Sequence, residues 1–234
     1  MVAHVIVVAL AILFINLGFW QLRRLEERQL ENTVGESRFE ADSVDLGLLL
    51  DASGEEQDTL EFRRATATGV FQPDDEVLIR SQVHQGVAGF HVITPLLGEG
   101  GNAVLVNRGW VPLDADRVPV SAALPPDGAV TVTGWVRPAQ TRGALGPSDP
   151  DEGRLVTMNR VDIDRIQQQV PYEVDPVYLS LLDDLDGDLP IPAPSPSFDD
   201  EGPHLAYAIQ WFSFALIGLV GYFFLMRRAA RRSH

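Results

Sequence analysis

His204 is the residue of this chain whose type and position point most directly to chemistry. It stands just before residues 205–226, a run without any formally charged side chain. Small residues in such a run let a second helix or a flat macrocycle approach the backbone, and an imidazole at a membrane surface can be an axial ligand of haem iron. An interfacial histidine bonded to water or lipid headgroups fits the same spacing, so both interpretations stay open. On a helix, His204 shares one stripe with aromatic and small residues, namely Tyr207, Ala208, Trp211, Ala215, Gly218 and Tyr222.

The remaining polar residues predict structure rather than catalysis. His84 and His91 lie on two predicted strands, but no carboxylate or third histidine has the spacing of a metal site. The sequence has no cysteine, which excludes disulfides, thiolate metal sites and a cysteine nucleophile. It also has no glycine-rich phosphate loop and no serine-centred elbow. We therefore predict that the protein is not an enzyme, and that Asn16, inside the first apolar run, contacts the second apolar helix.

Two apolar runs determine the predicted organisation. Residues 1–22 and 205–226 are both free of charged side chains. A helix of such a length is about 33 Å long, enough to cross a bilayer core of roughly 30 Å. Charged groups at that depth cost roughly 2.5–3.5 kcal/mol each, so both runs predict transmembrane helices. A cleaved signal peptide is the alternative for the first run, but its start lacks lysine and arginine, and no small-x-small site precedes Arg23.

Charge predicts the orientation of these helices. The basic residues that follow the second run are expected in the cytoplasm under the positive-inside rule. Two spans then place both termini in the cytoplasm and the middle segment, which holds all 33 acidic residues, outside. One observation disagrees with this orientation, because the basic residues just after the first run would lie outside: Arg23, Arg24 and Arg28. Long loops, however, translocate largely regardless of charge. The acidity of the middle segment argues against partners such as nucleic acid and against adhesion to anionic lipid. The basic cluster consists of Arg227, Arg228, Arg231 and Arg232.

The middle segment is predicted to be rich in β-strands. Residues 22–38 continue the first helix, and an alternation of period two begins at Glu61. Residues 162–170 predict a short helix capped by Asp162. Strands joined mainly by turns favour an antiparallel sheet or a partly open barrel. Further strand patterns, separated by turn-forming residues, occupy 77–80, 87–97, 103–111, 131–137, 155–159 and 177–182.

The predicted fold class is a membrane protein of the α+β type, with two transmembrane helices that flank an antiparallel, β-rich extracytoplasmic domain. Prolines alternate along the segment before the second span, which we expect to be an extended tether. The predicted segments are a transmembrane helix (1–22), a helical and loop connector (23–60), the β-rich domain (61–189), a Pro-rich tether (190–204), a second transmembrane helix (205–226) and a basic cytoplasmic tail (227–234).

Five blocks of the sequence resemble the surfeit locus protein family, whose members help assemble cytochrome c oxidase. Two positions depart from the family pattern. Arg28 stands where the family commonly has lysine. Before His204, where the family often has asparagine, this chain has a run of acidic residues followed by Gly202 and Pro203. The blocks occur in the order and spacing of the family and extend over the chain: Leu17-Gly18-Phe19-Trp20-Gln21-Leu22-Arg23, Phe62-Arg63-Arg64 with Gly69 and Phe71, Gly89-Phe90-His91-Val92-Ile93-Thr94-Pro95-Leu96, Val106-Asn107-Arg108-Gly109-Trp110-Val111-Pro112 and His204-Leu205-Ala206-Tyr207-Ala208-Ile209-Gln210-Trp211-Phe212.

The resemblance implies an assembly or accessory factor of an aa-type cytochrome c oxidase, which assists haem a insertion or stabilises the subunit that receives the haem. The proposed haem contact of the family is the histidine that opens the second span, here His204. Tyr207 and Trp211, on the same stripe, are then further cofactor-binding residues, and haem a is bound transiently. The expected partners are oxidase subunits or a respiratory supercomplex, together with membrane lipid. The lack of cysteine and the presence of only three methionines argue against copper delivery.

Two other functions fit the same sequence. A permanent accessory subunit of the oxidase or supercomplex would need no cofactor. An extracytoplasmic ligand sensor would also have two spans, although a cytoplasmic part of residues 227–234 is too short to signal. The exclusive use of arginine as the strongly basic residue is typical of a GC-rich bacterium. We therefore expect a bacterial plasma membrane, or the mitochondrial inner membrane if the chain is eukaryotic.

Overall fold

The computed structural model describes residues 2–54, 57–140, 147–183, 185 and 187–232. The chain divides into two units. The first combines the segments Met1–Val34 and Ser197–His234, and the second, which we call the β domain, is Gly35–Pro196.

The first unit contains the long helix α4 (His204–Arg232) and the part of α1 (Val2–Glu40) up to Val34. Both are long and apolar enough to cross a membrane. The helical continuation expected over residues 22–38 is confirmed, because α1 runs without a break to Glu40. At 1.5 Å per residue, α1 is about 58 Å long and extends well beyond a bilayer core.

Small residues let the two helices approach each other within this unit. Ala208 and Ala215, two members of the predicted stripe, are buried on α4, and Ala11 and Gly18 are buried on α1. A Cβ atom added to Gly18 would lie 2.5 Å from the ring of Phe212, so only glycine leaves room for that ring. Small residues at a helix interface allow this kind of close packing in membranes.

The prediction for Asn16 is wrong. Its side-chain amide donates a hydrogen bond of 2.8 Å to the carbonyl oxygen of Ile12, one turn earlier on the same helix. The amide therefore finds an acceptor without a second helix, since a polar group in a helix can bond the carbonyl four residues before it.

The described residues of the β domain form eight strands and two short α-helices, α2 (Leu46–Ser53) and α3 (Ile163–Gln167). Asp162 caps α3 as expected, with its carboxylate accepting a hydrogen bond of 3.0 Å from the backbone N–H of Arg165. The strands are β1 (Val44–Asp45), β2 (Arg64–Phe71), β3 (Val77–His84), β4 (Val87–Leu97), β5 (Asn102–Pro112), β6 (Ala129–Pro138), β7 (Thr157–Met158) and β8 (Glu173–Leu181).

Five of these strands close into a barrel. The order of the sheet is β1-β2-β6-β8-β5-β4-β3-β7, and β2 also pairs with β4, which joins the barrel strands into a ring. Alternate side chains of each strand point inward and form an apolar core that α2 covers with Leu46 and Leu49. The core also contains Leu60, Ala65, Ala67, Phe71, Leu96, Val104, Val106, Val132, Val136, Val177, Leu179 and Leu181.

The expectation of an antiparallel sheet holds for most pairs but is wrong for three. The pairs β1–β2, β3–β7 and β5–β8 are parallel. For β3–β7 and β5–β8 the reason is the long connection between β6 and β8, which carries β7 and α3 and allows the chain to cross over before β8 is added beside β5. The β1–β2 pair is parallel because α2 lies in the connection between these two strands. Parallel neighbours need such crossovers, whereas hairpins can produce only antiparallel ones.

A buried ion pair lies among the strands of the β domain. Arg108 donates to the carboxylate of Glu76 at 2.5 Å, and the two side chains are 1% and 0% exposed. Arg108 also donates to Thr94 Oγ1 and to the carbonyl of Ala123, each at 2.7 Å. The backbone N–H of Val120 completes the network with a hydrogen bond of 3.0 Å to Glu76. The charges are therefore paired and hydrogen-bonded, as buried charges must be.

The residue after Arg108 forms a tight corner. The register between β4 and β5 shifts by one residue here, which is a β-bulge. Gly109 has a φ of +127°, and a Cβ atom at this position would overlap the carbonyl oxygen of Ile191. The next residue, Trp110, exchanges two backbone hydrogen bonds with Ile191, of 2.6 and 2.9 Å. The start of the Pro-rich tether is thereby attached to β5.

Candidate functional site

His204 makes its principal polar contact with Gln21. The distance between His204 Nδ1 and Gln21 Oε1 is 2.8 Å, and Gln21 is buried on α1 with 8% of its surface exposed. An amide oxygen can only accept a hydrogen bond, so Nδ1 of the imidazole carries the proton and donates. In the neutral imidazole, Nε2 is then the nitrogen that carries the lone pair, the form in which histidine binds metals.

Gly202 leaves the Nε2 edge of this ring without a covering side chain. Its φ is +69°, and an added Cβ atom would lie 3.4 Å from both Nε2 and Cδ2 of His204. That distance is an ordinary van der Waals contact, so a side chain at position 202 would lie against the ring edge that glycine leaves open. The backbone N–H of Gly202 donates a hydrogen bond of 2.8 Å to the carboxylate of Asp200, which fixes the turn before α4.

Further polar contacts continue along the same side of α1. Gln29 donates to the carboxylate of Glu201 at 2.9 Å, and Asn32 donates to the carbonyl of Asp200 at 3.1 Å. The acidic segment before α4 is therefore held against the polar end of α1. These contacts position the first residue of α4, His204, next to Gln21.

The two other predicted site residues lie in different surroundings. Tyr207, one turn after His204, is 46% exposed. Trp211 stacks on Phe14 of α1 with a ring-centroid distance of 5.6 Å, and also contacts the ring of Phe214. The structure thus presents Tyr207 on the surface of the helix pair, while Trp211 belongs in part to the packing between the helices.

His84 and His91 lie in the β domain and have separate partners. The ring of His84 lies 5.4 Å from that of Trp110, and His91 Nδ1 lies 3.3 Å from the side-chain amide of Asn107. Among the described residues, no group of three or more His, Asp or Glu side chains could hold a metal ion. Burial, together with the positive charge of Arg137, lowers the pKa of His91 to about 4.

The lowered pKa of His91 predicts loss of stability in acid. An unfolded chain binds a proton near pH 6.5, whereas folded His91 stays neutral until about pH 4, so protons favour unfolding between these values. We expect the free energy of unfolding to fall by about 1–3 kcal/mol over this window because of His91. Urea unfolding of wild type and His91→Gln from pH 8 to pH 4 checks this. The two proteins should differ in slope below pH 6.5, and parallel curves would contradict the prediction.

Comparison with known proteins identifies the family. The model of the SURF1 family matches residues 8–216, which include Gln21, the barrel and His204. The chain belongs to the SURF1 family. This confirms the resemblance to surfeit locus proteins seen in the sequence.

Members of the SURF1 family from distant organisms match this chain. An uncharacterized SURF1-like protein of Mycobacterium tuberculosis is 31% identical over 98% of this chain and 84% of its own length. A SURF1-like protein of Rickettsia felis is 25% identical over 97% of this chain and 98% of its own. Surfeit locus protein 1 of Arabidopsis thaliana is 35% identical over 42% of this chain and 30% of its own. At the level of the SURF1 family, the function is cytochrome oxidase assembly.

The residues around His204 in this SURF1 chain fit a haem ligand. The donor is an imidazole nitrogen with a free lone pair, its tautomer is fixed by a hydrogen bond at the other nitrogen, and Gly202 leaves space beside it. Sequence reasoning found His204 but not the role of Gln21. The only signal was its position in the first family block, since 183 residues separate the hydrogen-bonded pair.

Proposed function

We propose that this chain is a membrane-bound assembly factor of an aa-type cytochrome c oxidase that holds haem a transiently at His204. The observation that carries the proposal is the hydrogen bond between His204 Nδ1 and Gln21, because it leaves Nε2 with its lone pair. Histidines that bind metals are commonly oriented in this way through their other ring nitrogen. Holding and handing over a haem is binding rather than catalysis, so we propose that the protein is not an enzyme.

The residues of the chain have distinct tasks in this proposal. His204 would hold the haem, whose iron would supply a site that an imidazole nitrogen can ligate. Gln21 orients the imidazole, and Gly202 keeps its Nε2 edge free of side chains. Tyr207 and Trp211 offer aromatic surface on the same stripe of α4, as expected for residues beside a flat macrocycle.

The surfaces of α1 and α4 support a place in the membrane. Large apolar side chains such as Ile6 and Phe19 on α1, and Ile217 and Phe223 on α4, are more than half exposed. Such surface is stable in hydrocarbon rather than in water. We propose two spans, with both termini in the cytoplasm and the β domain outside, in a bacterial plasma membrane or, in a eukaryote, the mitochondrial inner membrane. The proposed partners are oxidase subunits.

A pigment test decides whether haem is held at His204. The full chain, purified in mild detergent from cells that make haem a, should show a haem absorption spectrum that disappears in His204→Ala. His84→Ala, which removes a histidine of the β domain, serves as the matched control and should keep the spectrum. A colourless protein that co-purifies in fixed ratio with mature oxidase would favour the permanent accessory subunit. A protein that carries no haem and brings down no oxidase would contradict assembly of the oxidase as its function.

Gln21 gives a sharper test of the geometry. Gln21→Leu removes the acceptor for Nδ1–H, and we expect the affinity for haem to fall by about 10–100-fold, as is typical when the partner of a ligating histidine is lost. Gln21→Glu keeps an acceptor oxygen and should retain most of the affinity. Titration of the apoprotein with haem, followed by absorption, measures both. Equal affinities for wild type and Gln21→Leu would show that the hydrogen bond does not orient the ligand.

A further inference from the structure

The outer face of the barrel has a row of polar and aromatic side chains. In the register of the strands, Arg64 on β2 lies opposite Trp135 on β6, which lies opposite Ser180 on β8. Arg137, two residues after Trp135 on β6, lies opposite Tyr178. Directly opposed residues, and residues two apart on one strand, point to the same face of a sheet. Arg64 and Arg137 are therefore diagonal neighbours on one face, with Trp135 between them.

Three donors in this row have no hydrogen-bond partner. The Nε atoms of Arg64 and Arg137 and the indole nitrogen of Trp135 are all buried, and none makes a hydrogen bond within the described part of the chain. Trp135 is only 2% exposed. Buried donors of native proteins nearly always have an acceptor, so each exception requires an explanation. Three exceptions on adjacent positions point to one common acceptor.

The charges of the row also lack a counterion. Neither Arg64 nor Arg137 forms an ion pair with a carboxylate in the described residues. The positive charge of Arg137 also acts on His91 of β4. Burial and this charge together lower the pKa of the imidazole. The negative charge of Glu61 acts on Tyr178, where it helps to raise the pKa of the phenol after the larger effect of burial. Two unpaired guanidinium groups on one face favour a bound anion.

Aromatic rings surround these donors. The guanidinium carbon of Arg137 lies 5.9 Å from the ring centroid of Tyr178, its neighbour on β8. Phe39, within the β domain at the end of α1, contacts the edge of Trp135 with a centroid distance of 6.1 Å. A face that combines aromatic rings with unpaired N–H donors suits a ligand that is apolar in one part and anionic in another.

We propose that Arg64, Trp135 and Arg137 form an oxyanion site that binds the carboxylate or phosphate group of an amphipathic ligand. Arg64 and Arg137 are only partly buried as residues, so part of each side chain is within reach of a ligand. The oxygens of such a group accept hydrogen bonds from the N–H groups of this row that have no partner in the barrel. The chain has a negative net charge, which repels anions at long range. Binding of an anion at this site therefore depends on the local N–H donors and not on a broad basic surface. The site lies entirely within the β domain and does not depend on haem at His204.

Variants of the full chain in detergent test the site. Arg64→Gln and Arg137→Gln remove one charge each, and Trp135→Phe removes only the indole N–H while it keeps an aromatic ring. Arg117→Gln, at an exposed loop position, makes the same charge change and is the matched control. The probes are haemin, haemin dimethyl ester, which has no free carboxylate, and phosphatidylglycerol, counted on the protein by native mass spectrometry. Thermal unfolding midpoints show whether each variant is folded.

We expect each arginine variant to bind one of the two anionic probes about tenfold more weakly, and Trp135→Phe several-fold more weakly, with no change in Arg117→Gln. Weaker haemin binding, with dimethyl ester binding unchanged, assigns the site to a carboxylate. Loss of phosphatidylglycerol alone assigns it to a phosphate headgroup. Folded variants that bind both probes like wild type overturn the proposal, even if the haem spectrum still depends on His204. Conversely, a phosphatidylglycerol effect in a chain that binds no haem supports the site while the proposed haem function fails.

Discussion

Replacing Arg108 by methionine is expected to lower the free energy of unfolding of the β domain by about 3–5 kcal/mol, because it leaves the Glu76 carboxylate buried without its charged partner. Glu76 is fully buried and accepts from Arg108 at 2.5 Å. The substitution also removes the donors to Thr94 Oγ1 and the Ala123 carbonyl. Urea unfolding of the full chain, followed by the fluorescence of buried Trp135, measures the change.

The double variant Glu76→Gln/Arg108→Met separates the loss of packing from the loss of charge pairing. Glutamine can still accept from the Val120 N–H, and no unpaired charge remains. Replacement of both members of a buried ion pair by neutral groups is often nearly neutral. We therefore expect the double variant to be more stable than Arg108→Met. A single variant within 1 kcal/mol of wild type would show that water or a rearranged side chain compensates Glu76.

Gly109→Ala is expected to destabilise the β domain by about 2–4 kcal/mol. The added methyl group would overlap the carbonyl oxygen of Ile191, and the φ of +127° is unfavourable for alanine. Relief of the overlap requires the paired segment at Ile191 to move away from β5. Unfolding by urea measures the cost, and limited proteolysis around residues 190–196 should show whether the segment has become accessible.

Gly128 provides the matched control for this substitution. Its φ is +82°, but an added Cβ atom would meet no other atom within 4 Å. Gly128→Ala should therefore show only the cost of the backbone conformation, about 1 kcal/mol. If Gly109→Ala and Gly128→Ala were equally stable, the close approach of Ile191 to β5 would have no energetic importance.

Local patterns predicted the elements of this fold well. Residues 87–97 are a strand in both the prediction and the structure, and Asp162 caps a short helix as expected. These features depend on residues close together in the chain, such as turn formers and caps. The pairing of β8 with β5 could not be predicted, because it depends on how a long connection crosses the sheet.

The candidate site likewise combines a feature that is visible in the local sequence with contacts that depend on long-range packing. His204 is visible in the sequence because it is a titratable residue at the edge of a charge-free run. Gln21 is visible only as part of a block, since its role depends on how small residues such as Ala208 let the two helices pack. Asn16 shows the limit of such reasoning, because its amide is satisfied by the backbone of its own helix. The row around Trp135 required the register of the strands.

The central place of β8 in the sheet constrains when the barrel can form. Its neighbours are β5 and β6, so both strands keep an open edge until residues 173–181 have joined them. A nascent chain must therefore be synthesised almost to the end of the β domain before the ring closes, and pairings between such distant segments form slowly. During that interval the open edges can pair with other chains. The barrel strands are thus exposed to such mispairing for longer during synthesis than the strands of a fold made of sequential hairpins.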